Sequence, residues 1–336
     1  MSLTSIGDLT QSFLLGRVRV DLSQRMQRLS AELASGEIGD LAASVSGQFG
    51  ALADIERRLD LGNSFGTATT EAASDARAMQ ASLTRIQTDA QSLAGRALTA
   101  GASASGAATE TVVREAQGTL HAVVDALNTR VAGRTLFAGA EVASPALATA
   151  GEIRDALRLA LTGASGPADI LARAHDFFEL PSGPFRTSLY QGGATGPTPR
   201  RLDDGELVAL DIRADDAALR AQIRTTTLIS LASDPVLGLD AAGQRSLLSA
   251  AGTDLQAAQP ALAELRGTLG SAEERIDRAA ARIAAEASAL KQARNDIVSA
   301  DPFETAIELE RVQFQLETIL TLTARSSRLN LATLLS

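Results

Sequence analysis

The chain has 336 residues, no cysteine, no tryptophan and a formal net charge of −9. Nucleic acid and anionic membranes repel a net acidic surface, so we expect neither as a main partner. The lack of cysteine excludes disulfides, thiolate nucleophiles and cysteine-ligated metals. Aromatic residues make up only 3%, so alanine and aliphatic side chains must fill the core, which favours closely packed helices.

The first segment, residues 1–36, is amphipathic on two faces of a helix. One face carries Ile6, Leu9, Phe13 and Val20, and another carries Val18, Leu22, Met26, Leu29 and Leu33. A helix that is apolar on two sides needs neighbours on both sides. The segment therefore favours a helix that is buried in an assembly.

The same segment shows no basic stretch, no continuous apolar stretch and no small-residue cleavage site of a signal peptide. No apolar run in the chain reaches the roughly 18 to 20 residues that cross a bilayer. We expect a protein that stays in the cytoplasm or leaves the cell by a route that needs no cleaved signal.

Long stretches between the two ends have coiled-coil spacing, with apolar residues that alternate steps of four and three. The stripes are Met79, Leu83, Ile86, Ala90, Leu93 and Ala97; Val113, Ala116, Leu120, Val123 and Leu127; and a third from Leu262 to Ile297, interrupted at Glu286. This spacing predicts long helices that pack on one another. A shorter stripe, Leu52, Ile55 and Leu59, predicts a separate small helix.

The middle of the chain, residues 140–234, lacks this spacing and is rich in proline. Residues 153–161 have the pattern of a helix. Alternation over residues 206–213 predicts a strand, and the Asp-Asp-Gly turn at 203–205 would join it to residues 200–202. We expect a mixed module that is inserted between helices.

The last segment, residues 301–336, is again apolar on two sides. One side carries Leu309, Val312, Leu316, Ile319 and Leu320, and nearly the opposite side carries Ile307, Phe314, Leu322 and Leu329. With Leu331 and Leu334 near the end, and without Val20 and Leu322, these residues and those of the first segment form the predicted assembly interface.

Together the patterns predict a mainly α fold. We expect a long helical bundle or coiled-coil rod, with paired N- and C-terminal helices and a small α+β domain at the tip. The predicted domains are a terminal assembly domain (1–38 and 300–336), a bundle (39–139 and 236–299) and an outer domain (140–235).

Residues that could carry chemistry are few. His121 and His175 have no second histidine at ligand spacing, and the pair Asp203 and Asp204 suits a turn better than a cation site. We expect no catalytic residues, no cofactor and no metal site, and therefore no enzyme.

Three tracts resemble the bacterial flagellin family. The run from Ser271 to Ser336 resembles the conserved end of that family, notably in Asn295-Asp296-Ile297, Phe303-Glu304-Thr305-Ala306 and Leu329-Asn330-Leu331. Residues 29–36 look like the signature after its first helix. Residues 133–139, Gly-Arg-Thr-Leu-Phe-Ala-Gly, are most similar to the hook–filament junction branch of the family. Residues 37–50 lack the Asp-Asp-Ala element that is familiar in filament flagellins.

The resemblance implies an extracellular structural subunit of the flagellum that is exported through the type III apparatus without signal cleavage. It implies a junction adaptor whose partners are other copies of itself, the hook-associated ring protein below, flagellin above and an export chaperone. Two alternatives stay open: a minor filament flagellin, and a cytoplasmic coiled-coil protein that binds a partner. An enzyme housed in the middle module is a more distant alternative.

Overall fold

The computed structural model describes residues 3–44 and 49–335, with side chains described for Thr10, 13–43 and 49–325. It is mainly α, which confirms the predicted fold class. The helices are α1 (Leu3–Ser35), α2 (Leu41–Ser44), α3 (Gly50–Ala102), α4 (Gly106–Leu127), α5 (Ala150–Ala160), α6 (Pro167–Glu179), α7 (Ala217–Leu231), α8 (Ala241–Ala257), α9 (Gln259–Val298) and α10 (Pro302–Leu335). Two short antiparallel hairpins pair β1 (Arg130–Val131) with β2 (Arg134–Thr135) and β3 (Arg200–Arg201) with β4 (Leu207–Val208).

The chain divides into two compact units. The terminal unit comprises both ends of the chain, up to Gly62 and from Ala285 onward, and the central unit is Asn63–Ala284. The three-domain division made from the sequence stays a prediction. Within the central unit one buried cluster joins side chains of the long helices to side chains of residues 140–235.

The central unit buries the predicted heptad stripes. All residues of the first two stripes are buried, and so are Leu262, Leu269, Ile276 and Ala279 of the third. The prediction of a separate small helix around Leu52 is wrong, because α3 runs without a break from Gly50 to Ala102. Between Leu59 and Met79 the buried positions of α3 are occupied by small residues such as Ala72 and Ala76. A search for large apolar residues does not detect such positions.

Helix α7 lies at the centre of this unit and packs against α4, α6 and α8. Its buried positions include polar residues, among them Gln222 and Thr225–Thr227. The hydroxyls of Thr225 and Thr227 donate to the carbonyls of Ala221 and Ile223, at 2.7 and 2.6 Å. These bonds satisfy the hydroxyls of Thr225 and Thr227 inside the helix itself, whereas the Thr226 hydroxyl and the Gln222 side-chain NH₂ group have no hydrogen-bond partner among the described residues.

The predicted helix at residues 153–161 is confirmed as α5. Thr149 caps it, since its hydroxyl accepts from the Glu152 N–H at 3.3 Å while the Glu152 carboxylate accepts from the Thr149 N–H at 2.8 Å. Reciprocal bonds of this kind satisfy donors that the first turn of a helix leaves free.

The predicted strand at residues 206–213 is too long. The turn at 203–205 joins β3 to β4 as expected, with the Leu202 N–H donating to the Glu206 carbonyl at 2.8 Å. The chain leaves strand geometry after Val208, and further on the Ala214 N–H donates to the Phe137 carbonyl at 2.9 Å. After Val208 the backbone therefore bonds to the segment around Phe137 instead of extending the sheet.

That contact belongs to the tract 133–139, which forms a tight corner after α4. Gly133 has φ +80° in the turn between β1 and β2, and Phe137 is fully buried. Gly139 has φ +60°, and a Cβ there would lie 2.5 Å from the Thr195 carbonyl oxygen. The tract is thus a folding corner whose glycines are required by backbone conformation and space.

We expect Gly139→Ala to destabilise the central unit by roughly 3 kcal/mol, because it adds left-handed strain and a clash with backbone. Gly118→Ala is the matched control. Gly118 lies on the exposed side of α4 with no atom within 4 Å of a built Cβ, so alanine should stabilise by about 0.5–1 kcal/mol. Urea unfolding of the purified variants measures both changes, and equal stabilities would contradict the assignment.

Candidate assembly surface on the terminal helices

Helix α1 ends at a glycine for a conformational reason. Gly36 follows the helix with φ +73°, and its N–H donates to the Glu32 carbonyl at 2.8 Å. A left-handed residue at this position closes a helix and is normally glycine. The tract 29–36 is therefore the last two turns of α1 with its stop signal.

The chain after α1 pairs with the chain before α10. The Ala300 N–H donates to the Gly36 carbonyl at 2.9 Å, and the Ile38 N–H donates to the Val298 carbonyl at 2.8 Å. These two bonds form a short antiparallel bridge within the terminal unit. They bring together residues that are about 260 positions apart in the sequence.

Helix α10 starts directly beyond this bridge. The Asp301 carboxylate accepts from the N–H groups of Phe303 and Glu304, at 2.8 and 3.2 Å, and Pro302 occupies the first helical position. A capping aspartate followed by proline is a strong helix start. The N- and C-terminal tracts that resemble flagellins thus meet at one place, where α1 ends and α10 begins.

From this place α1 and α10 run antiparallel and pack against each other. Arg25 forms an ion pair with Glu308 at 2.6 Å, further along both helices from the bridge. The apolar contact between the helices consists of Leu22, Leu29 and Val312, which are buried, with Met26, Leu309, Leu316 and Ile319 partly buried around them. Among the side chains that the structure describes, seven apolar ones therefore lie between the two helices.

The opposite faces of the same helices are apolar and exposed. Phe13 of α1 is 70% exposed, and Phe303 and Phe314 of α10 are 76% and 71% exposed. Phe314 lies two residues after the buried Val312, which places it about 200° around the helix axis. Val20 and Ile307 extend the two faces and are exposed as well. We call Phe13 and Val20 with Phe303, Ile307 and Phe314 the outer apolar faces.

Other residues of the predicted interface have different positions. Val18, Leu33 and Leu320 are exposed although the spacing grouped them with the inward stripes. Ile6, Leu9, Leu329, Leu331 and Leu334 lie outside the described residues as far as their side chains are concerned. Leu14 and Phe303 are exposed apolar residues that the predicted interface omitted. The spacing of Phe303 four residues before Ile307 would have included it.

Large apolar side chains that are exposed along one face of a helix are unusual for a monomer and mark an interaction site. The described parts of the chain contain no group of three histidine, aspartate or glutamate residues that could hold a metal ion. Within the same residues, no helix is long and apolar enough to cross a membrane. His121 and His175 are both exposed, and the His121 Nδ1 lies 2.8 Å from the Gln117 carbonyl oxygen.

Residues 253–335 match the family model described as the bacterial flagellin C-terminal helical region. This match confirms the resemblance of the C-terminal run to flagellins, and it covers the end of α8, α9 and α10. A comparison with curated proteins gives no match.

The chain also resembles a solved structure described as a flagellar hook-associated protein from Vibrio parahaemolyticus. The two share 10% sequence identity with a TM-score of 0.49, over 73% of this chain and 95% of that chain. A likeness at this level is not evidence of a shared function.

We expect aspartate substitutions on the two sides of α10 to act differently in the isolated subunit. Val312→Asp places a charge between α1 and α10 and should cost about 3 kcal/mol of the stability of the helix pair. Phe314→Asp places the same charge on an exposed side chain and should change stability by less than about 0.5 kcal/mol. Amide hydrogen exchange in α1 and α10 of the monomer measures both effects. Equal loss of protection in the two variants would show that Phe314 also supports the pair.

Proposed function

We propose that the chain is a structural subunit of the bacterial flagellum, without enzymatic activity, that assembles through its terminal helices. The observation that carries this proposal is that α1 and α10 each pack on the other with one face and expose apolar residues on the opposite face. The match of residues 253–335 to the flagellin C-terminal helical region supports it independently.

The exposed side chains explain why assembly would be favourable. Burying a large aliphatic or aromatic side chain gains roughly 1.5–3 kcal/mol relative to leaving it in water. The outer apolar faces supply five such residues in each copy, on both helices. A subunit that packs against neighbours on these faces would bury them in every copy, so the gain would repeat along the assembly.

Within the flagellum, we propose the role of hook–filament junction adaptor. The support is the sequence of residues 133–139, which is similar to that branch of the family, and the absence of an Asp-Asp-Ala element from residues 37–50. In this role the chain would contact copies of itself, the hook-associated ring protein and flagellin. It would leave the cell by type III export without cleavage, with the help of a chaperone, and act outside the cell.

A minor filament flagellin is the second candidate, because the matched family model describes flagellins themselves. The terminal helices serve assembly in both roles, so their geometry favours neither. The two roles differ in the place of the protein along the flagellum.

We expect Phe314→Asp to abolish incorporation into flagella while the subunit still folds and is exported. An unpaired charge on a surface that must lose its water costs several kcal/mol, and each copy in the assembly bears this cost. Gln315→Asp is the matched control, because it adds the same charge at an exposed polar neighbour. Immunoblots of purified flagella and of the culture medium measure incorporation and export. Normal incorporation of Phe314→Asp would contradict an assembly role for this face.

We expect immunogold labelling of purified flagella to give a single band where the hook meets the filament. Cells that lack the gene should secrete flagellin into the medium without forming filaments. Labelling along the filament would identify a minor flagellin instead. Retention of the protein inside cells with an intact export apparatus would contradict both flagellar roles and favour a cytoplasmic partner-binding protein.

A further inference from the structure

The β3–β4 hairpin lies against two long helices of the central unit and is bonded to each by arginines. Toward α3, the Arg200 guanidinium contacts the carboxylates of Glu71 and Asp75, at 2.5 and 2.6 Å. The Arg201 guanidinium lies 6.0 Å from the centre of the Phe65 ring, within the range of a cation–π contact. On this side the hairpin supplies the cations and the helix supplies their partners.

Toward α9 the polarity is reversed. The Arg282 guanidinium contacts the carboxylates of Asp203 and Glu206, at 3.0 and 2.8 Å. Arg275 of the same helix donates to the Leu207 carbonyl at 2.7 Å. Here the hairpin supplies the acceptors and the helix supplies the cations, so the hairpin cannot exchange one helix for the other without bringing like charges together.

The arginines of the two sets differ in their exposure to water. Arg200 is 18% exposed and its partner Asp75 is 15% exposed, although its second partner Glu71 is 58% exposed. Arg282 is 48% exposed, with Asp203 at 38% and Glu206 at 27%. Salt screens exposed pairs strongly and partly buried pairs much less. Salt should therefore weaken the pairs of Arg282 more than the pair between Arg200 and Asp75.

The hairpin also contributes to the core of the central unit. Leu202 and Val208 of the hairpin are buried in the central cluster, and the stretches of α3 and α9 that the hairpin arginines and carboxylates bond to contribute Ala72, Ala76 and Ala279 beside the larger Met79 and Ile276. Alanines present shallow ridges and grooves, so they fix the register between two helices less firmly than larger side chains do. Side chains outside the helices then have more influence on this register.

We propose that the β3–β4 hairpin is a strap that sets the register of α3 against α9. It is anchored on α3 by Arg200 and latched on α9 by Arg275 and Arg282, and high ionic strength releases the latch while the anchor stays. The strap is a conformational device of the central unit and does not depend on the flagellar role. Among the described residues, two further ion pairs join α3 and α9 directly: Arg77 with Asp277 at 3.6 Å, and Arg58 with Glu286 at 2.8 Å.

Hydrogen exchange tests the latch in the full chain. The probe is the Leu202 N–H, which donates to the Glu206 carbonyl across the hairpin. In the double variant Arg275→Gln with Arg282→Gln, we expect this amide to exchange about fivefold faster than in the wild type at low salt. Raising the salt to about 1 M should speed exchange by a similar factor in the wild type and leave the variant unchanged.

Arg278→Gln is the matched control. Arg278 lies on the same helix, is exposed, and has only Glu274 of its own helix as a charged partner, at 3.9 Å. In the Arg278→Gln variant, the Leu202 amide should exchange at the wild-type rate at both salt concentrations. Equal protection of Leu202 in the wild type and the double variant, or a wild type that does not respond to salt, would overturn the latch.

A distance measurement tests the register itself. The chain has no cysteine, so two introduced cysteines can carry spin labels without competing sites. Suitable substitutions are Ser74→Cys on α3 and Ala280→Cys on α9, because both positions are exposed. We expect one narrow distance distribution at low salt and a broader or shifted one at about 1 M salt or in the double variant. A distribution that stays narrow and unshifted while Leu202 loses protection would show that the hairpin opens without setting the register.

Discussion

The backbone bonds between the segment after α1 and the segment before α10 are the constraint on which the terminal unit depends. Two hydrogen bonds join Gly36 to Ala300 and Ile38 to Val298. They fix where α1 stops and where α10 starts, so the two helices extend side by side from the same point with opposite chain directions. Each helix then has one face toward its partner, and its other faces are left to solvent or to further chains. Single residues set the position of this point, because Gly36 ends α1 and the Asp301 carboxylate caps the start of α10.

The balance of apolar surface on the two helices follows from this arrangement. Among the residues whose side chains the structure describes, seven apolar side chains lie between α1 and α10. Helices of this length draw most of their stability from packing and little from intrinsic propensity. The phenylalanines on the outer apolar faces are exposed in the single chain and could pack against further chains. Additional neighbours would therefore stabilise the helices that bind them, which couples order in the terminal unit to assembly.

The central unit holds its helices by other means. Its long helices meet through alanine-rich stripes with few aromatic side chains, and Phe137, Phe178 and Phe185 lie among its fully buried residues. Arginine pairs link elements at the margins of that core. Arg220 and Arg224 of α7 share the Glu179 carboxylate of α6, at 2.8 and 2.9 Å, as the strap arginines join the hairpin to α3 and α9. Arginine–carboxylate pairs have a defined geometry, so they fix the relative position of elements whose small side chains interlock only weakly.

The sequence by itself determined the elements whose signal is periodic. Periodic apolar spacing predicted the helices with heptad stripes, α3, α4 and α9, and the two-sided helices α1 and α10. The Asp-Asp-Gly turn is a local signal of another kind, and it predicted the hairpin connection. Only the tertiary structure decided which apolar face of α10 is closed, because Val312 and Phe314 are equally apolar and differ only in which one meets α1. Only it placed α7 at the centre, since Gln222 and the threonines carry no apolar period. The bridge at Gly36 and the reversed ion pairs of the strap join residues that are distant in sequence, and pairing of that kind leaves no local pattern to read.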